Sequence, residues 1–382
     1  MKSLKRNEPL GGHTLSQESE SSDNDNQDSD DELSAAVAAI QTSDISRDGD
    51  TSFVLTRTRK VLIVVGLILL ILPIVAYLTI GWQIYITLAT ANPGYGDQTG
   101  HSPANFNVTW DVHEEMDTSP YFMENYSEIT IQSRTEGIEL SGWWVSAEEN
   151  VPQPAPTVII QHGLRSSKAT YQVLMTAGML HRNGFNTVMI DLRDHGMSTI
   201  EDNRVSIGTK EYIDVMSLVD WLIENKSIPE NKIGMLGNSM GAGTAAIAFG
   251  QDSRIQAVVL DSGYLNLELI VEEELARENY PTWLSNGALL SAWLFGGEAL
   301  LEPSPTSAFE EAGQRPIYII HGRSDDRVDV HHSEDMVELA EELNVNATSW
   351  FLEDTGHVEA KLLFPQEYEQ RIVSFFNSAL EN

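Results

Sequence analysis

The 382-residue chain contains no cysteine. Disulfide frameworks, a thiol nucleophile and thiolate metal centres are therefore excluded, and the redox character of its compartment is left open. Basic residues are scarce: 23 Lys and Arg stand against 57 Asp and Glu, a formal charge of −34. The imbalance is not confined to one end, since 16 basic and 45 acidic residues lie beyond residue 60. The cationic patches that nucleic acid and anionic lipid reward are missing, so neither is expected as an electrostatic partner. No internal repeat is visible.

The chain begins with a polar tail. Residues 1–56 are expected to be a disordered acidic segment, because Glu18–Glu32 has no apolar residue with which to offset chain entropy. Val61–Ile80 then runs 20 residues without a charge. At about 1.5 Å per residue it spans roughly 30 Å, the hydrocarbon thickness of a bilayer. Pro73 is tolerated in such a span, and Tyr77, Trp82 and Tyr85 fall where an aromatic belt would lie. The preceding tail is too long for a cleaved signal peptide. Arg57, Arg59 and Lys60 flank the N-terminal side, and no Lys or Arg follows until Arg134. The positive-inside rule therefore puts the N-terminus in the cytoplasm and the large C-terminal part across the membrane. The expected organisation is a tail (1–56), a transmembrane anchor (57–90), a Pro/Gly/Asn-rich stalk or lead-in (91–120) and a folded domain (121–382).

That domain opens with a hairpin pattern, Glu128–Ser133 and Ile138–Ser146. Short apolar runs follow at Thr157–Gln161, Thr187–Ile190, Lys232–Leu236, Gln256–Leu260, Pro316–Ile320 and Thr348–Leu352. Helical stretches separate them, ending with Gln366–Leu380. Uniformly apolar short strands alternating with helices imply a mostly parallel sheet covered on both faces.

In such a sheet the chemistry gathers at the carboxyl ends of the strands. Gly237-Asn238-Ser239-Met240-Gly241 follows one strand and opens a small-residue helix. A strand turning into a helix this tightly crowds the backbone, and small neighbours two positions away relieve it. The turn lifts the Ser239 hydroxyl and aims the Met240 N–H at a reacting carbonyl. The other strand ends carry His162-Gly163-Leu164, Asp191 to His195, Asp261, Asp325 and His357. Chain order Ser, Asp, His is the one expected for a nucleophile on such an elbow.

These residues carry a resemblance. From about Tyr121 onward the chain resembles the α/β-hydrolase superfamily, in its serine-hydrolase branch of esterases, monoacylglycerol-lipase-like enzymes and serine aminopeptidases. The matching stretches are IIQHG (159–163), DLRDHGMS (191–198), GNSMG (237–241), IIHGRSDDRV (319–328) and TGHVEA (355–360). The resemblance implies a nucleophile at Ser239, a general base at His357 and oxyanion donors at the Met240 and Leu164 amides. The orienting carboxylate is expected at Asp325 ahead of Asp326, which is expected to cap a helix or pair with Arg327, and of Asp354. No cofactor and no metal is implied. Asp194 stands where the pattern has glycine, so that turn must tolerate a side chain. His162 and His321 are expected as structural turn residues. The adjacent His331 and His332 are expected to point apart, without a carboxylate to complete a metal site.

Leu265–Ala312 is an insertion read as a small helical lid whose apolar residues line an acyl pocket; helices packed plainly on the sheet are the alternative. No substrate-contacting residue is assigned. The expected function is a membrane-anchored serine hydrolase that cleaves carboxylic esters through an acyl-enzyme, acting on a small-molecule ester or acyl substrate. A peptidase or thioesterase with the same triad, and a non-catalytic tethered binding protein, are the alternatives.

Overall fold

The computed structural model describes residues 56–109 and 116–380. The acidic tail, apart from Thr56, lies outside the described residues. The chain divides into two units, Met1–Leu67 and Ile68–Asn382. The described part of the first unit is the start of helix α1 (Arg57–Ala89).

An 18-residue window of α1 has a mean hydropathy of 3.1 and is wholly unburied, which makes this helix a candidate membrane span. Its residues are exposed on every side through Ala76. A helix apolar all round and left uncovered needs lipid or protein around it. The pattern then changes: Gly81, Tyr85 and Ala89 are buried, four residues apart on one face.

The second unit is built on one eight-stranded sheet. Strands β1 (Tyr126–Gln132) and β2 (Glu139–Val145) form the expected hairpin, and β2 also runs antiparallel to β4 (Asn186–Ile190). The rest is parallel: β3 (Thr157–Gln161), β5 (Ile233–Asn238), β6 (Ala257–Asp261), β7 (Ile317–Gly322) and β8 (Ala347–Leu352). The spatial order is β1-β2-β4-β3-β5-β6-β7-β8.

Every residue of β3 to β7 is buried, which is why those segments read as unbroken apolar runs. One face is covered by α3 (Glu211–Lys226), α4 (Met240–Gln251) and α8 (His331–Leu343), through residues such as Leu218, Phe249 and Met336. The other is covered by α2 (Tyr171–His181), the short α9 (Ala360–Leu363) and α10 (Pro365–Leu380), through Leu174, Leu362, Ile372 and Phe376.

The stretch 91–109, expected as a stalk or lead-in, is irregular but packed. Phe106 and Val108 are buried in the same cluster as α2 and α10, and Tyr95 reaches the Asp191 carboxylate. Two isolated apolar residues show no periodicity, so nothing in the sequence marks them as core.

Between β6 and β7 the insertion folds as α5 (Leu267–Arg277), a 3-10 turn (Thr282–Leu284) and α6 (Ser285–Ser291), which continues into a π-helical turn (Ala292–Gly296). Asn266 caps α5, its side-chain oxygen accepting from the Leu269 N–H at 3.1 Å. The short helix α7 (Ser307–Glu310) returns the chain to the sheet, where Ser307 closes against Gly250 of α4.

Candidate active site

Register brings the elbow to the sheet edge. Asn238, the last residue of β5, lies opposite Asp261, the last of β6, and the Ser239 N–H donates to the Asp261 carbonyl at 2.9 Å. Ser239 sits at φ +56°, ψ −123°, a region that costs a side-chain-bearing residue about 1–3 kcal/mol. The glycines have a visible reason. A Cβ on Gly237 would lie 2.1 Å from the Gly241 carbonyl oxygen, and one on Gly241 would lie 2.4 Å from that of His162. The strand, the helix and the β3 loop meet backbone to backbone.

Asp325 and His357 come together from the ends of β7 and β8. The His357 Nδ1–H donates to Asp325 Oδ2 at 2.7 Å, and Nε2 has no hydrogen-bond partner among the described residues. The other oxygen, Oδ1, accepts from the Arg327 and Val328 amides at 2.9 Å each. His321 Nε2 lies 3.1 Å from Oδ2 and donates to the Val328 carbonyl at 2.9 Å, so its Nδ1 accepts from the Ser333 hydroxyl. Burial by itself would raise the Asp325 carboxyl, but hydrogen bonds from His321 and His357 overcome it and hold the group well below the usual carboxylate range. Asp326 is exposed; among the described contacts it neither caps a helix nor pairs with Arg327. Asp354 is also exposed, on a turn. No hydrogen bond joins Ser239 to His357 among the described residues, but both side chains border the same two cavities.

Two backbone donors belong to residues that border the same space. Met240 is the first residue of α4 and Leu164 lies in the turn after β3; neither N–H donates to a protein acceptor among the described residues. The N-terminal end of α4 adds its partial positive charge. The Leu164 turn is held from outside. Arg165 donates from Nε to the Thr90 carbonyl at 2.9 Å and from Nη2 to Thr87 and Leu88 at 2.8 and 3.2 Å. These carbonyls end α1 and have no further turn to bond to.

One cavity at Ser239 has a volume of about 260 Å³ and is mainly apolar. Leu267, Ile270 and Val271 of the insertion line it, with Tyr85, Leu88 and Ala89 of α1 opposite. Tyr85, placed by sequence in an aromatic belt, is 3% exposed and belongs to this wall. The second, about 420 Å³, is lined by Gln98, Thr109, Ser166, Thr170, Gln172 and Asn238 among others. A larger groove of about 1020 Å³ runs along β8 and α10, and no candidate residue borders it.

The remaining motif residues are engaged in hydrogen bonds with the turns around them. Asp191 is buried, paired with Lys168 at 2.6 Å and bonded to the Lys168 and Met197 amides. Asp194 takes φ +61°, the conformation its missing glycine would favour. Its Oδ1 accepts from the amides of Glu201, Asp202 and Asn203 at 2.7–3.1 Å, so the side chain fastens a loop that glycine would leave free. His162 donates from Nδ1 to the Gly163 carbonyl and accepts at Nε2 from Leu192. Burial, then the nearby His195, holds His162 neutral, far below its ordinary pKa. Behind the elbow, buried Lys361 bonds Asp261 at 2.9 Å and Asn238 at 2.6 Å, and Tyr368 donates to Asp261 at 2.8 Å.

A further expectation is corrected. His331 and His332 do not point apart: both Nε2 atoms reach Glu273 of α5, at 2.5 and 3.2 Å, and the rings lie 4.4 Å apart. The carboxylate that the sequence did not supply nearby comes from the insertion, 58 residues earlier.

Residues 171–382 match the prolyl oligopeptidase family (Peptidase_S9). The chain belongs to the prolyl oligopeptidase family. Protein YfhR of Escherichia coli O157:H7, uncharacterised by its own name, is 24% identical over 249 residues, which is 64% of this chain and 78% of that protein. Esterase YjfP of E. coli K12 is 28% identical over 189 residues, covering 47% of this chain and 72% of YjfP. Among solved structures, the Pyrococcus furiosus esterase Pf2001 superposes with a TM-score of 0.56 at 24% identity, over 76% of this chain and all of that one. At that identity the likeness shows the fold, which is that of an α/β-hydrolase. Family and fold together make this prolyl oligopeptidase relative a hydrolase of the serine type.

Proposed function

We propose that the protein is a membrane-anchored serine hydrolase that cleaves carboxylic esters through an acyl-enzyme intermediate. The observation carrying this reading is the Asp325–His357 hydrogen bond, made by an imidazole that borders the same two cavities as Ser239.

Each role follows from position. Ser239 Oγ adds to the ester carbonyl as His357 Nε2 accepts its proton. Asp325 fixes the tautomer and steadies the imidazolium that forms. The Met240 and Leu164 N–H groups receive the charge that develops on the carbonyl oxygen. His357 then gives its proton to the leaving alcohol, the C–O bond breaks, and water repeats the sequence to release the acid. The apolar cavity suits an acyl chain and the second, of mixed lining, an alcohol or its headgroup. The names of esterase YjfP and esterase Pf2001 support the ester over other acyl groups. The family's peptidase name supports the second reading, a peptidase, or a thioesterase, with the same residues. A non-catalytic tethered binding protein would need neither the strained serine nor the paired histidine.

In this reading α1 crosses the membrane once as an anchor at 57–90, with the N-terminus cytoplasmic and the hydrolase domain (121–382, cap 265–312) on the far side. Apolarity and the basic residues at its start support that orientation.

A fluorophosphonate probe tests the chemistry. Intact protein is expected to label and Ser239→Ala is not; no labelling, or equal labelling of both, rules the enzyme reading out. Rates on p-nitrophenyl esters of rising chain length against aminoacyl anilides separate ester from peptide substrates. Protease shaving of sealed vesicles tests topology, and digestion of the hydrolase domain from the cytoplasmic side would reverse it.

A further inference from the structure

The cap between β6 and β7 is fastened directly to α1. Tyr77 stacks on Trp283 with ring centroids 5.6 Å apart, and its hydroxyl donates to the Trp283 carbonyl at 3.1 Å. Ser291 donates to the Leu78 carbonyl at 2.9 Å. One turn on, Gly81 meets Gly287 so closely that a Cβ there would lie 2.2 Å from the Gly287 oxygen. Trp82 packs edge-on against Phe295 at 5.9 Å.

These contacts fall at the end of the apolar run. Tyr77 lies about 5 Å along the helix from Ile80, at a rise of about 1.5 Å per residue. If Val61–Ile80 fills the hydrocarbon, the cap is held level with its boundary. At that level the cap turns a strongly apolar face outward. Trp283 and Trp293 are each 61% exposed, and Tyr280, Leu290, Leu294 and Phe295 are exposed beside them. Bare apolar patches of this kind mark contact surfaces, and tryptophan is enriched at membrane interfaces. Within the same unit, residues 68–76 of α1 are exposed and lead along the helix to the Tyr77 contact. The charge of the cap excludes an electrostatic origin, since Glu268, Glu272, Glu273, Glu274 and Glu278 surround its single arginine, Arg277, on α5 and the turn after it.

We infer that the outward face of the cap is a second membrane contact, immersed in the leaflet beside α1, and that the site takes an ester whose acyl chain comes from the bilayer. The inference rests on the anchored ester-hydrolase reading. It accounts for two facts at once: the same helix carries the lipid-facing surface and, through Tyr85, Leu88 and Ala89, a wall of the apolar cavity. An acyl chain bound there stays against the element that touches its source. The contact is apolar, so salt leaves it in place.

Because the chain has no cysteine, single spin labels report it directly. Trp293→Cys, Leu294→Cys and Leu290→Cys, with Glu338→Cys on the exposed side of α8 as reference, are labelled in the full chain reconstituted in phosphatidylcholine vesicles. The cap labels are expected to favour oxygen over a water-soluble nickel chelate, and to do so equally in about 1 M salt, where screening reaches only about 3 Å. Cap labels as open to nickel as position 338 overturn the inference.

A second arm uses rates. The double change Trp293→Asp with Leu294→Asp, at positions that do not border the cavity, is expected to slow hydrolysis of a long-chain ester embedded in vesicles at least tenfold. Soluble p-nitrophenyl butyrate should stay within about twofold. Unchanged hydrolysis of the embedded ester overturns the inference. Where both substrates are lost, label depth decides, because it does not depend on activity. Immersed labels in a protein that cleaves no ester would remove the ester reading while the membrane contact stands.

Discussion

Arg165 donates from Nε to the carbonyl oxygen of Thr90, 2.9 Å away, and so joins the turn after β3 to the end of α1. The next residue back is Leu164, whose N–H is a proposed oxyanion donor. Helix α1 and the candidate site therefore share one guanidinium.

Arg165→Met is expected to lower kcat on a soluble ester about tenfold. Complete loss of an oxyanion donor costs about 10²–10³, and a loosened turn should cost less. Arg165→Lys should recover little, because an ammonium cannot match the planar fork that spans three carbonyls. Steady-state kinetics on p-nitrophenyl butyrate provide the check.

Asp325→Asn is expected to cut kcat by about 10⁴ while leaving Ser239 in place, because the amide favours the wrong imidazole tautomer. There is a stability effect as well. The Asp325 pKa is depressed on folding, so its contribution is present above the ordinary value of about 3.9 and fades as pH falls through the folded one. Denaturant titrations should show the gap between wild type and variant persisting at pH 5 and closing only in strong acid.

The cap responds to pH in the opposite sense. Burial lowers the His331 pKa, but Glu273 outweighs it, with Asp329 and Asp335 adding to the rise. A raised folded pKa gives stabilisation that is full below about 6.5 and lost as pH climbs through the folded value. Neighbouring His332, depressed first by burial, works the other way, so the comparison must isolate His331. His331→Gln is expected to speed amide exchange in α5 at pH 5.5 and to have little effect at pH 8.5.

Gly241→Ala should destabilise the fold by about 2–3 kcal/mol. Its methyl would press on the His162 and Gln161 carbonyl oxygens, at 2.4 and 2.7 Å, and neither backbone can retreat from a central strand. The midpoint of guanidinium unfolding should fall accordingly, with little change in slope.

The sheet was legible because β3 to β7 are buried on both faces, so each writes a short apolar run that composition alone exposes. The elbow and the histidine loop were legible because local backbone demands, glycines two residues either side of Ser239, leave a written trace. Contacts between distant segments leave none. Nothing near Arg165 announces that it will cap a helix 75 residues earlier, and Glu273 gives no sign of the two histidines 58 and 59 residues ahead. Tyr85 misled for a related reason: an aromatic residue just past an apolar run reads the same in a lipid interface and in a pocket wall. The packing of Phe106 and Val108 likewise depends on a gap that only the folded sheet creates.

The close approach of Gly81 to Gly287 bears on how the protein can be handled. Trimming a membrane enzyme to a soluble one normally discards only its tether. Here a cut after Ala89 would also strip Tyr85 and Ala89 from the cluster they share with Tyr264, Ala288, Ala292 and Leu300. The trimmed protein would carry an uncovered cap, open the apolar cavity to water and leave Arg165 with the Thr90 carbonyl alone, without those of Thr87 and Leu88. The whole chain keeps these contacts; a chain cut after Ala89 does not.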